Sequence, residues 1–111
     1  MHPSRQGRAG FVVAVDGSTL LIKIGEVMDL SLHEEFRRAY ENRLEVITNY
    51  VVDLSDTLHI DSSALGMLLI LREYAGGDRN SIRLINVRPA LRRLLAIVNF
   101  DVLFEVSLAE A

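Results

Sequence analysis

Apolar positions first recur with the spacing of strands. Phe11 to Val15 and Thr19 to Ile24 are two β-rich runs, and Asp16-Gly17-Ser18 lies between them. Asp-Gly accommodates positive φ, so this pattern predicts an antiparallel hairpin. Gly25 to Leu30 reads as a loop. Ser31-Leu32-His33-Glu34 then matches a capping box, with Ser31 as the cap and Glu34 reaching back. From there the spacing is helical, out to about Asn42. Leu32, Phe36, Ala39 and Tyr40 make the buried stripe, while Glu34, Glu35, Arg37, Arg38 and Glu41 face water.

The chain is organised around Tyr50 to Tyr74. Val51, Val52 and Leu54 form a short apolar run, as expected of a central strand covered on both faces. Asp56-Thr57 is a turn and Leu58-His59-Ile60 an extended piece. Asp61 is a good N-cap, because its carboxylate can accept from free N–H groups of the first helical turn. The helix it opens is apolar from Ala64 to Leu71 at every position but Gly66. At about 100° per residue, Ala64, Met67, Leu68, Leu71 and Ala75 share one face, assigned to the sheet. Ser62, Gly66, Leu69 and Glu73 fall on the opposite face, and Ser63 lies sideways, nearer the core.

Gly76-Gly77-Asp78 closes that helix, and Ile82 to Val87 is the next strand. Pro89 suits the first turn of a third helix, with Leu91, Leu94, Leu95 and Val98 as its apolar stripe. Asn99-Phe100-Asp101 turns the chain into a last short strand, Leu103 to Val106. The order β-β-α-β-α-β-α-β predicts an α/β fold with a mixed sheet: a hairpin, then parallel crossovers, covered by helices.

A length of 111 residues bounds this to one domain with a modest core. The reading is a domain over residues 11–111 preceded by a flexible, polar and basic N-terminus over residues 1–10. A net charge of −3 argues against nucleic acid as the main partner. There is no cysteine, which excludes thiol chemistry and fits the cytoplasm. No apolar run reaches the length of a membrane span, so membrane insertion is not expected.

Candidate chemistry is sparse. His59, Asp61 and Ser62 lie close in sequence, but no nucleophile elbow or oxyanion glycines accompany them, so a hydrolase is not expected. His2, His33 and His59 without cysteine make a poor metal set, and no phosphate-cradling glycine loop is present. No cofactor is expected. Arg88, Arg92 and Arg93 read as a solvated basic face. Ser62 is the sharper candidate. It points outward at a helix N-terminus, where a phosphate is tolerated and adds close to two negative charges.

The stretch VVDLSDTLHIDSSALGMLLILREYA resembles the signature of the STAS domain family, in its anti-sigma factor antagonist branch. That signature is an apolar strand followed by Asp-Ser-Ser-Gly-Leu-Gly opening a helix. Here it reads Asp61-Ser62-Ser63-Ala64-Leu65-Gly66, with alanine in place of the first glycine, a benign change in a helix. IGEVMDLSLHEEF upstream and INVRPALRRLLAIVNFDVLFEV downstream fit as well, so the resemblance spans residues 11–107. It implies a STAS-like fold and a binding protein rather than an enzyme. It implies that Ser62 is the phosphorylation target. The partner surface it implies is Asp29, as the acidic loop residue, with Asp61, Ser62, Ser63, Gly66 and Leu69. The implied partners are an anti-sigma factor that is itself a serine kinase, bound when Ser62 is unphosphorylated, and a PP2C-type phosphatase. The alternative is a STAS subunit of a membrane lipid-transport ABC complex, bound permanently to its ATPase.

Overall fold

The computed structural model of the chain describes residues 10–77 and 81–109. The expected looseness of the N-terminus therefore lies outside the described residues, as does Asp78 of the glycine turn. The first half runs β1 (Val12–Asp16), β2 (Thr19–Lys23), β3 (Val27–Met28), a 3-10 turn (Leu30–Leu32), α1 (His33–Tyr40) and β4 (Asn49–Asp53). The second half runs β5 (His59–Ile60), α2 (Ser62–Tyr74), β6 (Ile82–Val87), α3 (Pro89–Ile97), α4 (Phe100–Leu103) and β7 (Glu105–Leu108).

The hairpin forms as the pattern predicts. Asp16 pairs with Thr19, leaving Gly17 and Ser18 as the turn, and Gly17 takes φ +61°. A side chain at that φ is strained, whereas glycine is not. The main sheet has the order β1-β2-β4-β6-β7, antiparallel only at its first pair.

The steps β2 to β4, β4 to β6 and β6 to β7 all advance in one direction. Right-handed crossovers then put every helix on the same side of the sheet. The burial pattern agrees. Val13, Ile22, Val52 and Leu84 stand in one row across the strands, and Leu20, Tyr50 and Ile82 in another. All are buried and join Phe36, Leu68, Leu71, Leu95 and Phe104 in a single core. The alternate row, Ala14, Leu21, Val51 and Arg83, faces away. The expectation of helices over both faces of the central strand is corrected here. Val51 is only 5% exposed, yet it stands between Leu21 and Arg83 on the neighbouring strands, on the face without helices.

Three local expectations also change. The capping box at Ser31 does not form. Asp29 caps the 3-10 turn instead, accepting from the Ser31 amide at 3.0 Å and from the Ser31 hydroxyl. Glu34 turns to Arg37 at 3.1 Å and Arg38 at 3.9 Å, and α1 starts without a side-chain cap. Secondly, α1 ends at Tyr40, short of Asn42, which takes φ +56°. Arg43 donates to the Ala39 carbonyl at 3.0 Å to close that end. Thirdly, Phe100 opens a short helix rather than a turn into a strand. Asn99 at φ +63° ends α3, and α4 stacks Phe100 on Phe104 with centroids 5.2 Å apart. The last strand is consequently Glu105–Leu108, not Leu103 to Val106.

Candidate functional site

The helix α2 carries the candidate serine on its first residue. Asp61 is extended, with φ −98° and ψ −179°, and its Oδ1 accepts from Ala64 N at 2.9 Å. This hydrogen bond satisfies one of the free donors of the first turn and fixes where the helix begins. Ala64, Met67, Leu68 and Leu71 are buried beneath it, so the helix is pinned by its apolar face. Ser62 is consequently exposed, Ser63 half-buried, and Gly66 and Leu69 lie along the outer face, as the helical wheel predicts. A Cβ on Gly66 would meet nothing within 4 Å. The fold therefore does not need glycine at that position.

Asp29 comes to this site through a feature with no sequence pattern of its own. β3 and β5 pair as a separate two-stranded parallel sheet, with Val27 opposite His59 and Met28 opposite Ile60. The next step along each strand is Asp29 on one side and Asp61 on the other. Asp61 N donates to the Met28 carbonyl at 3.4 Å. The loop that carries Asp29 thus lies beside the residue preceding Ser62, while Gly66 and Leu69 lie further along α2.

Four apolar residues of this region were not singled out by sequence pattern. Leu30 is 63% exposed, Ile70 54%, Val27 45% and Leu58 44%. Val27 lies in β3, Leu58 precedes β5, Leu30 follows Asp29, and Ile70 stands on the α1 side of α2. Between α1 and α2 is a groove of about 210 Å³ lined by His33, Phe36, Arg37, Tyr40, Met67 and Ile70. A second, larger depression of about 820 Å³ lies elsewhere, by Ser55, Asn86, Arg88 and Ser107.

The surface of the site is acidic as well as apolar. Asp61 directly precedes Ser62 and the Asp29 loop pairs beside it, whereas Arg88 and Arg92 are engaged elsewhere. Arg88 donates to the Ser55 carbonyl at 3.1 Å and Arg92 lies 3.8 Å from Asp101. Behind α2, Tyr40 and Tyr74 pack with centroids 5.0 Å apart. Burial first, then the Glu41 carboxylate, pushes the Tyr40 phenol above its ordinary value. Among the described residues no group of three or more His, Asp or Glu is placed to hold a metal ion. No described helix is long and apolar enough to cross a membrane.

The family model described as "Mlab, STAS domain" matches residues 11–106. The chain belongs to the STAS domain family. A STAS-domain containing protein of Pseudomonas aeruginosa (strain UCBPP-PA14) is 47% identical over 94 residues, which is 85% of this chain and 93% of that protein. Among solved structures, this STAS domain superposes on the anti-sigma factor antagonist SpoIIAA in its unphosphorylated form. The TM-score is 0.65 at 16% identity, over 91% of this chain and 89% of that one. It also superposes on a sulfate transporter family protein from Wolinella succinogenes. There the TM-score is 0.72 at 15% identity, over 85% and 80% of the two chains. Likeness at that level of identity is a likeness of fold. The family expected from the Asp-Ser-Ser motif is thus borne out, and the choice among its functions rests on the site.

Proposed function

We propose that this STAS domain is a phosphorylation-switched anti-sigma factor antagonist of the cytoplasm, a binding protein and not an enzyme. With Ser62 unphosphorylated it binds an anti-sigma factor that is itself a serine kinase, and so regulates transcription. Phosphorylation of Ser62 ends the interaction, and a PP2C-type phosphatase restores it. The observation that carries this reading is the exposed Ser62 on the first residue of α2, with the Asp29 loop paired beside it.

The chemistry of that arrangement suits a switch. A phosphate on Ser62 sits at a helix N-terminus, so it does not melt the helix. It nevertheless brings about −1.5 to −2 charge next to Asp61 and close to the Asp29 loop. In the free protein water screens that repulsion. Once a partner covers Val27, Leu30, Leu58, Leu69 and Ile70, the phosphate is buried among acidic groups. Such burial costs several kcal/mol, and about 1.4 kcal/mol is already tenfold in affinity. The bare glycine at position 66 lets a partner approach the helix backbone closely.

The test compares Ser62→Ala with Ser62→Asp for binding to the host's kinase-type anti-sigma factor. The alanine variant is expected to bind constitutively and the aspartate variant at least tenfold more weakly. Equal affinities refute the switch. The intact mass of the protein from its host, wild type beside Ser62→Ala, shows whether Ser62 carries the phosphate.

A second reading is a permanent subunit of a membrane lipid-transport ABC complex, seated on its ATPase. The exposed apolar side chains of Leu69, Ile70 and Tyr74 along α2 support it, because a permanent interface needs no phosphate. A protein unmodified under every growth condition, retained on an ATPase in a pull-down, selects this reading.

A further inference from the structure

Ser62 and Asp29 belong to segments far apart in sequence, and a short ladder of backbone hydrogen bonds joins them. Leu58 N and His59 N donate to the Glu26 carbonyl at 2.8 and 3.2 Å, and Asp61 N donates to Met28 O at 3.4 Å. Two-residue strands have little stability of their own. At the root of the ladder stands Thr57, the one buried polar side chain among the described residues, with no exposed surface. Its hydroxyl donates to the Gly25 carbonyl at 2.9 Å, with the Ile24 carbonyl a longer second acceptor at 3.5 Å. Its own N–H donates to Leu54 O at 3.0 Å, which closes the turn at the end of β4. Gly25 is hemmed in from another side as well. A Cβ on Gly10 would lie 3.0 Å from its Cα.

We infer that Thr57 is a positioning residue for the Ser62 site. It locks the β2–β3 connection to the β4–β5 turn and thereby holds the Asp29 loop against the start of α2. This rests on the function proposed above. Ser62 itself is held by the Asp61 cap and by the buried face of α2. Loss of the Thr57 hydroxyl therefore moves one half of the partner surface and leaves the phosphorylatable half in place. The Gly25 carbonyl loses this buried donor, and an unmade buried hydrogen bond is far more costly than one exposed to water.

The experiment uses the full chain as Thr57→Val, Thr57→Cys and Thr57→Ser. Valine keeps the shape and removes the donor, cysteine keeps a weak donor, and serine keeps the hydroxyl. The first readout is amide hydrogen exchange. In Thr57→Val, the amides of Leu58, His59 and Asp61 are expected to exchange about tenfold faster or more. The amides of β6 and α3 stay within twofold, Thr57→Cys falls between, and Thr57→Ser returns to wild type. Should the valine variant not fold, the graded comparison of cysteine with serine carries the same test. The second readout is Ser62 phosphorylation by the host kinase. The expected result is a KM raised about tenfold with kcat within twofold, rescued by serine.

Unchanged exchange at the three ladder amides overturns the inference, as does uniform acceleration across the chain. A loss confined to kcat also overturns it. A wild-type protein that no host kinase phosphorylates overturns the proposed function instead. The exchange data then still decide whether Thr57 places the loop.

Discussion

Asp61→Ala removes the cap of α2, and its cost can be worked from the geometry. The lost interaction is the 2.9 Å hydrogen bond to Ala64 N. Replacing a capping side chain by alanine costs about 1 kcal/mol, within a range of roughly 0.5–2. The middle of that range applies here. Asp61 is exposed and water partly replaces it, while the buried Ala64, Met67, Leu68 and Leu71 keep the helix in place. Asp61→Asn separates the cap from the charge. Asparagine still accepts from the Ala64 amide, but it loses a carboxylate at the helix N-terminus worth about 0.3–1 kcal/mol at low ionic strength. Salt screens the second contribution and leaves the first. The assay is urea unfolding of wild type and both variants at low and high salt. With a slope of about 1–1.5 kcal/mol/M for a domain of this size, Asp61→Ala moves the midpoint down by about 0.7–1 M in high salt, and by more in low salt, where the lost carboxylate adds its share. Asp61→Asn is expected to lose less, and to regain wild-type stability in high salt. Equal losses in the two variants, both vanishing in salt, refute the reasoning. The cap hydrogen bond would then contribute nothing, and α2 would be held by its buried face alone.

Gly66→Ala fills open space on a helix, so it is expected to raise stability by about 0.5–1 kcal/mol in urea unfolding. The same variant weakens partner binding about tenfold by calorimetry if Gly66 is a close-approach position, and unchanged binding removes it from the interface. Alkaline pH is expected to destabilise the fold through tyrosine. Burial raises the Tyr40 phenol, with Glu41 adding to it, and burial raises the Tyr50 phenol, with Tyr74 adding to it. The folded state thus holds these protons more tightly than the unfolded state. Their contribution is complete below the ordinary phenol value of about 10 and is lost as pH rises through the folded values. The urea midpoint should stay level to about pH 9 and fall beyond it, less steeply in Tyr40→Phe; a midpoint that is flat well above pH 10 is the contrary result.

Much of the fold was legible because it is local. The hairpin turn follows from Asp16-Gly17, because Gly17 takes the φ of +61° found there without strain. The strand Ile82–Val87 and the helix start at Pro89 stand where their residue types put them. So do the cap at Asp61 and the outward face of Ser62, because a cap and a helical period are properties of a few consecutive residues. The motif Asp61-Ser62-Ser63 carried the family for the same reason.

What the sequence by itself determined is therefore the longer strands and helices, the buried stripe of each of those helices and the exposed serine. Tertiary structure decided what stands next to that serine. The β3–β5 pairing joins residues 32 apart through two-residue strands, too short to show any period. Asp29 took the capping role expected of Ser31, because the chain there bends into a 3-10 turn before α1 begins. Whether Ile70 was core or surface depended on how α1 docks. The single-sided sheet depended on every crossover stepping the same way. Hydrogen bonds and packing between distant segments leave no periodic mark on either segment, so only the assembled fold brings the segments of Asp29, Thr57 and Ser62 together.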